Sequence, residues 1–280
     1  MTYDFDALLD RVEKPARYTG GEMNAEVKPI SQAEISFAFC FPDTYEVAMS
    51  HLGMKILYGI LNELPYAVCE RVCMPWVDML CELRKNNIPL CSLESHTPLS
   101  RFDIIGFTLQ YEMSYTNVLE MMELGGVPVL SSERGEDDPI VLAGGPCAFN
   151  PEPLHLFIDA FLIGDGEDSI VEVTDVLNAC KKEGVPRAER LKRLASLRGV
   201  YVPGLYHDEY NADGTLKSLE PTDPCAPLRV LRSILTDFEN AYVPTRPPVP
   251  YIQPVFDRIM LEIMRGCTRG CRFCQAGMLY

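Results

Sequence analysis

Hydrophobic residues along the chain alternate between short continuous runs and helical spacing. The run at 35–41 (ISFAFCF) predicts a buried strand, and apolar residues at helical spacing predict a helix at roughly 45–63. A second clear strand at 103–109 (DIIGFTL) is followed by a predicted helix near 112–124. Because strands and helices keep alternating in this way, we expect a doubly wound, parallel α/β sheet over residues 31–185.

The rest of the chain gives weaker signals of the same kind. They predict strands at 68–73, 127–130, 140–145 and 157–164, helices at 76–87, 151–157, 166–184 and 188–199, and a hairpin around 211–214. Eight prolines between Pro221 and Pro254 predict an extended, stiff linker. The chain is therefore expected to consist of an N-terminal arm (1–30), the α/β domain (31–185), a helix, hairpin and proline-rich linker (186–255), and a C-terminal segment (256–280).

Composition narrows the class of protein. The 280 residues carry a net charge of −15 and are 47% hydrophobic, as in a globular protein with one large or two smaller domains. The negative charge argues against nucleic-acid binding by this portion, and no apolar stretch approaches the ~18 residues of a transmembrane helix. The acidic N-terminus lacks a signal-peptide pattern. The eleven cysteines therefore indicate a cytoplasmic, reducing environment rather than disulfides.

Three cysteines stand close together near the C-terminal end. Cys267, Cys271 and Cys274 have the spacing C-x3-C-x2-C, and Phe273 directly precedes the third. Three thiolates at this spacing can hold a 4Fe–4S cluster and leave its fourth iron open. An apolar run with strand-like alternation at 258–264 leads into this loop.

The three cysteines have two other interpretations. Structural zinc normally needs four ligands, and neither a histidine nor a second cysteine pair lies nearby. Ordinary free thiols are the other alternative. Cys69 and Cys73 imitate half of the motif, but Cys81 is too far along the chain to complete it. We interpret those residues as thiols of the core.

Ligands of doubly wound sheets bind at the carboxyl ends of the strands. Four predicted loops fall at that edge, at 41–53, 108–117, 143–153 and 163–168. Their candidate contacts are the glycines, whose backbone allows close approach, and three polar residues: Gly144, Gly145, Gly164, Gly166, Asp43, Tyr45 and Tyr111. A purely structural role, in which these loops only turn the chain, stays open.

At the cysteine loop the sequence resembles the radical S-adenosylmethionine (radical SAM) superfamily. Its signature is a C-x3-C-x2-C loop with an aromatic residue before the last cysteine, after the first strand of a partial β/α barrel. The resemblance implies that Cys267, Cys271 and Cys274 hold a 4Fe–4S cluster that binds S-adenosylmethionine. One electron, from a donor such as flavodoxin or ferredoxin, then splits it into methionine and a 5′-deoxyadenosyl radical. The substrate is not readable from the sequence.

The chain ends six residues after Cys274. Only the first strand and cluster loop of the barrel are therefore expected within it. The superfamily's SAM-binding elements are expected beyond Tyr280, and we expect the chain by itself to be inactive. Two alternatives stay open. One is an iron–sulfur electron carrier or redox sensor, and the other is an inactive fragment whose α/β domain binds a partner.

A Rossmann-type domain before such a barrel, with a GGP loop and a GDGE loop, resembles the cobalamin-binding subclass. Residues 10–280 also resemble one uncharacterised bacterial family of that subclass, through RYTGGE (17–22), FPDTYEVAMSHLG (41–53), SLES (92–95), GFTLQYEMSYTN (106–117) and AGGPCAFNPEP (143–153). This makes cobalamin a candidate cofactor at the glycine and polar loop residues, with methylation as the implied chemistry. The usual cobalt-binding motif fails here, because Met49 and Met54 replace its Asp and Gly and His51 falls inside a predicted helix.

Overall fold

The computed structural model describes residues 5–279. At its centre is a six-stranded sheet in the order β2-β1-β3-β4-β5-β6, whose first five strands are parallel. A two-stranded antiparallel hairpin follows. The strands are β1 (Ile35–Phe41), β2 (Ala67–Cys73), β3 (Ile104–Thr108), β4 (Ile140–Gly144), β5 (Ala160–Leu162), β6 (Val200–Tyr201), β7 (Tyr206–Tyr210) and β8 (Leu216–Pro221).

The helices are α1 (Asp6–Leu9), α2 (Tyr45–Ala48), α3 (Leu52–Glu63), α4 (Val77–Asn86), α5 (Tyr115–Leu124), α6 (Glu167–Glu183), α7 (Arg187–Ala195) and α8 (Ala276–Leu279). Of these, α3 to α6 cover the two faces of the sheet. Because successive strand residues point to opposite faces, Phe37 and Phe39 pack with α3 and α6, whereas Ala38 and Cys40 pack with α4 and α5. Both faces of β1 are buried, which explains its uninterrupted apolar run. The predicted doubly wound α/β fold is confirmed.

The predicted helix at 45–63 is in fact two helices, α2 and α3. His51 lies at the break with an extended backbone (φ −92°, ψ 119°), and its Nδ1 accepts a hydrogen bond from the backbone N of Met54 (3.2 Å). A side-chain acceptor at this position satisfies one of the free N–H groups at a helix start, so a new helix begins there. The prediction that His51 lies inside a helix is wrong.

Residues 127–130 do not form the predicted strand. The side chain of Arg134 donates hydrogen bonds to the carbonyls of Pro128 and Val129 (both 3.0 Å). Pro128 also has no N–H to donate. The groups that a strand would use for pairing are therefore engaged or missing. The predicted helix at 151–157 is likewise reduced to a single 3₁₀ turn at Glu152–Leu154.

The sixth strand of the sheet comes from a later part of the chain than the sequence pattern indicated. β6 pairs antiparallel to β5, with Tyr201 opposite Phe161 and Val200 opposite Leu162. With only two residues, β6 was too short to give a recognisable run. The predicted hairpin around 211–214 is confirmed, because β7 and β8 flank that turn.

The proline-rich strap, residues 242–256, lies against the α/β domain. The backbone N of Val249 donates to the carbonyl of Met23 (2.9 Å), and the backbone N of Phe256 donates to Ser50 Oγ (3.0 Å). The strap therefore runs across the N-terminal arm and the turn between α2 and α3, and leads towards the cysteine loop.

Residues 258–264, predicted as the first strand of a barrel, do not form a strand here. Ile259, Leu261 and Ile263 are 92%, 72% and 85% exposed. A strand needs a neighbour that supplies backbone hydrogen bonds, and no strand described within residues 5–279 lies beside this segment. The strand prediction is wrong for the chain as it stands.

Candidate cofactor site at the carboxyl edge of the sheet

An apolar cavity of about 170 Å³ lies at the carboxyl ends of β1, β3, β4 and β5. Phe37, Leu142 and Leu162 from the strands line it, together with Leu57 of α3 and Ile170 of α6. Pockets that enclose whole drug-sized ligands measure roughly 300–1,000 Å³. This cavity therefore fits a small apolar group, or one end of a larger ligand that lies across its mouth.

The four predicted edge glycines line this one cavity: Gly144, Gly145, Gly164 and Gly166. Gly145 and Gly164 have φ values of +96° and +110°, which disfavour any other residue. A Cβ at Gly145 would also lie 2.9 Å from the carbonyl oxygen of Leu109. The sequence pattern thus located the glycine-lined edge of the sheet.

A short polar chain forms one side of the cavity. Gln110 Nε2 donates to Thr108 Oγ1 (2.5 Å), and Gln110 Oε1 lies 3.0 Å from His51 Nε2. Because His51 Nδ1 accepts from the backbone, Nε2 carries the proton and donates to Gln110. Burial lowers the pKa of His51, and this effect outweighs the Gln110 hydrogen bond, which raises the pKa. The lowered pKa favours the neutral ring. Both ring nitrogens are engaged, so His51 orients Gln110 and presents no lone pair to a metal ion.

The other three predicted edge residues lie outside the cavity. Tyr45 is buried, and its hydroxyl donates to Glu22 Oε1 (2.9 Å). Asp43 Oδ1 accepts from the backbone N of the next residue (2.7 Å). Tyr111 is 47% exposed and is not among the lining residues. The structure therefore brings the glycines together and places these polar side chains elsewhere.

The cysteine loop presents its three thiols to solvent. Cys267, Cys271 and Cys274 are free and exposed, and Phe273 is 92% exposed. The backbone N of Arg269 donates to Cys267 Sγ (3.5 Å), a contact of the kind that tunes cluster sulfurs. Within residues 5–279 no three His, Cys, Asp or Glu side chains stand together as a metal site. The donor set fits a three-thiolate cluster, and its assembly stays a prediction.

Arg265 connects the cysteine loop to the edge of the cavity. Its guanidinium contacts Asp165 Oδ1 (3.2 Å) and Glu167 Oε2 (3.2 Å), and its Nε donates to Glu262 Oε1 (2.7 Å). The guanidinium also lies over the ring of Phe238, 5.4 Å from its centre. Hydrogen bonds to Glu262 and Glu167 outweigh partial burial and raise the pKa of Arg265, so its charge is fixed. The sequence shows that Arg265 stands two residues before Cys267, but it does not reveal these carboxylate partners.

A second polar group lies fully buried under the arm, and sequence reasoning missed it. Arg71 of β2 binds Glu22 Oε2 through Nη2 (2.7 Å) and Glu94 Oε1 through Nε (2.6 Å), and each of these side chains is at most 1% exposed. Burial raises the pKa of Glu94 despite the nearby Arg71. For Glu22, burial by itself would raise the pKa, but the Arg71 guanidinium together with hydrogen bonds from the backbone and Tyr45 outweighs it and lowers the pKa.

This buried network explains three of the quoted segments. Glu22 ends RYTGGE, Glu94 stands in SLES, and Tyr45 of FPDTYEVAMSHLG donates to Glu22. The sequence signal was the charged pair Glu70-Arg71 inside an otherwise apolar strand, because a buried charge requires a partner. These residues hold the arm and the strand edge in place and do not line the cavity.

Comparison with known proteins supports one family. Residues 53–203 match the family described as radical SAM proteins, N-terminal. An uncharacterized protein of Methanocaldococcus jannaschii is 28% identical over 244 residues, which is 87% of this chain and 41% of that protein. The chain thus spans about two fifths of the length of this curated relative. No solved structure matches the chain.

The matched region covers more than half of the chain, so the chain belongs to the family of radical SAM proteins, N-terminal. The match includes β2 to β6 and the glycine-lined edge of the sheet, and it ends before the cysteine loop. Membership in the radical SAM superfamily is therefore confirmed. Across residues 5–279, none of the helices has the length and apolar character that crossing a membrane requires.

Proposed function

We propose that this chain forms the N-terminal part of a radical SAM enzyme. In this proposal Cys267, Cys271 and Cys274 hold a 4Fe–4S cluster that binds S-adenosylmethionine. The observation that carries it is the attachment of the cysteine loop to the cavity: Arg265, two residues before Cys267, contacts Asp165 and Glu167 of the GDGE loop. The family match over residues 53–203 supports the same class.

With the cluster in place, the cofactor pair supplies a carbon-centred radical by one-electron cleavage of S-adenosylmethionine. The chain's own residues supply what the cluster needs around it. Three exposed thiols provide the iron ligands, and the backbone N–H of Arg269 reaches the sulfur of Cys267. Gly266, with φ +77°, adopts a conformation that lets the chain turn into the loop.

The cavity at the carboxyl edge is the proposed site of a second ligand, and cobalamin is the candidate. A volume of about 170 Å³ is too small for a whole corrin ring. The cavity could therefore hold only part of a corrinoid, against its glycines and the side chains of Leu57, Leu142 and Leu162. Gln110, held by His51 and Thr108, is the polar side chain fixed at the cavity wall. A methyl transfer to a substrate carbon is the chemistry that fits this pairing of ligands.

The response of the cluster to S-adenosylmethionine tests the enzyme assignment. The full-length protein is reconstituted anaerobically with iron and sulfide and then reduced. We expect S-adenosylmethionine to change the electron paramagnetic resonance spectrum of the reduced cluster and to yield 5′-deoxyadenosine and methionine. A cluster that is reduced normally but shows neither response contradicts the proposal and favours an electron carrier.

A further inference from the structure

We propose that Glu167 is a positioning residue that holds the cysteine loop against the cavity through Arg265. This inference rests on the proposed function and goes beyond it. The proposed function assigns roles to the cysteines and the cavity glycines, whereas this inference assigns one to an acidic side chain of the GDGE loop. Glu167 is the first residue of α6 and its side chain is 10% exposed. Both of its carboxylate oxygens contact the guanidinium of Arg265.

The residues of the GDGE loop (164–167) alternate between two roles. Gly164 and Gly166 line the cavity, whereas Asp165 and Glu167 turn towards Arg265. A ligand that enters the cavity therefore contacts the same four-residue run that holds Arg265. A shift of this run would move the residue two positions before Cys267.

The loop is itself fixed by a second segment. Asp165 Oδ2 accepts from the backbone N of Leu235 (2.8 Å), and the backbone N of Asp165 donates to the carbonyl of Ser233 (3.1 Å). A Cβ at Gly164 would lie 2.1 Å from that same carbonyl oxygen, so the two segments meet without space for a side chain. The GDGE loop is thus a rigid support rather than a free turn.

The charges around Arg265 are unbalanced. One guanidinium faces three carboxylates, those of Glu262, Asp165 and Glu167. By itself, the positive charge of Arg265 would raise the reduction potential of a nearby cluster. With its partners included, this group is net negative, and negative charge close to a cluster lowers its reduction potential. Glu167 would therefore act on the cluster through both position and charge.

The test uses trypsin, which cleaves after arginine, together with the cluster potential. In the cluster-free chain we compare cleavage after Arg265 with cleavage after the exposed Arg269 as an internal reference. Loss of one charge-assisted contact should raise this ratio about tenfold in Glu167→Gln. The matched control is Asp168→Asn, the same chemical change at the next residue, whose side chain is exposed. It should leave the ratio unchanged. Arg265→Lys, which weakens the same contact from the other side, should raise cleavage at position 265 as well.

In the reconstituted protein, Glu167→Gln should raise the midpoint potential of the cluster, and Asp168→Asn should shift it less. The inference is overturned if Glu167→Gln matches the wild type in either measurement, since a purely structural contact would not move the potential. A wild type that takes up no iron would instead contradict the proposed function. The cleavage ratio would then still decide whether Glu167 holds Arg265.

Discussion

Glu22 of the N-terminal arm and Arg71 of β2 form an ion pair of 2.7 Å from which solvent is excluded. The pair joins the arm to an edge strand of the sheet, because β2 is the first strand in the sheet order. The backbone of Arg71 is also covered on that side, since its N donates to Glu94 Oε2 (2.7 Å) and its carbonyl accepts from the backbone N of Leu93 (2.8 Å). The edge that could otherwise pair with another chain is closed.

Replacement of Glu22 by Gln should destabilise the protein strongly. It leaves the Arg71 guanidinium short of one of its two partners in a buried site, and breaking a buried pair typically costs about 3–5 kcal/mol. Urea unfolding followed by circular dichroism measures the change. Glu26→Gln, an exposed position in the same arm, should change the free energy of unfolding by less than about 0.5 kcal/mol. Equal effects of the two variants would contradict the role of the pair.

Gly164→Ala should cost more stability than Gly184→Ala. Both glycines have positive φ (+110° and +67°), so both variants bear backbone strain of roughly 1–3 kcal/mol. A Cβ at Gly164 would additionally meet the carbonyl oxygen of Ser233 at 2.1 Å, whereas nothing lies within 4 Å of one at Gly184. Urea unfolding of the two variants isolates the steric part. If Gly164→Ala lowers the free energy of unfolding no more than Gly184→Ala does, the backbone of Ser233 does not lie as close to Gly164 as described.

Asp223 should titrate well below its ordinary range. Its pKa is lowered from 3.8 to about 2. The largest cause is the hydrogen bond from Lys192 (2.7 Å), and the next largest are hydrogen bonds from Cys225. A depressed carboxylate pKa contributes stability that is present above about pH 4 and is lost as the pH falls through about 2. Carboxyl carbon NMR measures the titration directly.

The matched variants for Asp223 are Lys192→Met and Lys217→Met. Lys192→Met should move the Asp223 pKa upward, towards its ordinary value, because the hydrogen bond that lowers the pKa most is lost. Lys217, which pairs with Glu209 instead, should leave it unchanged when replaced. An Asp223 pKa that is the same in all three proteins would show that the contact with Lys192 does not persist in solution.

The helix and strand order could be predicted because the core is patterned so regularly. β1 and β3 are buried along their whole length, and their apolar runs were visible as such. The break at His51 could not be predicted, since it depends on one side-chain hydrogen bond to Met54 within a continuous apolar pattern. The strand expected at 127–130 failed for a similar reason, because Arg134 reaches back from outside the segment.

For the candidate site, the sequence predicts where the backbone of the glycine loops lies but not which side chains contact each other. Glycines such as Gly145 and Gly164 follow strands and adopt positive φ, so their place at the carboxyl edge follows from topology. The partners of Arg265 and Arg71 depend on contacts between residues far apart in sequence, which no local pattern reveals. Tyr45 is a further example. Its position after β1 predicted a place at the cavity, but its hydroxyl instead forms a buried hydrogen bond to Glu22.

Gly144→Val should weaken cobalamin binding without unfolding the domain. A Cβ at Gly144 has its nearest neighbours at 3.7 and 3.8 Å, so the added methyl groups should enter the cavity at an ordinary packing distance. Titration with hydroxocobalamin, followed by its visible spectrum, should show binding to the wild type and at least about tenfold weaker binding to the variant. Gly204→Val, with nothing within 4 Å, is the control. No spectral change with the wild type would contradict a cobalamin site.

The iron content of the anaerobically reconstituted chain tests the central claim most directly. The wild type is compared with a variant in which Cys267, Cys271 and Cys274 are all Ala, and with a control that replaces three other cysteines, Cys81, Cys147 and Cys225. We expect about four irons and four sulfides per chain in the wild type and the control. The first variant should bind none. Equal iron in all three proteins, or none in the wild type, would contradict a cluster at the cysteine loop.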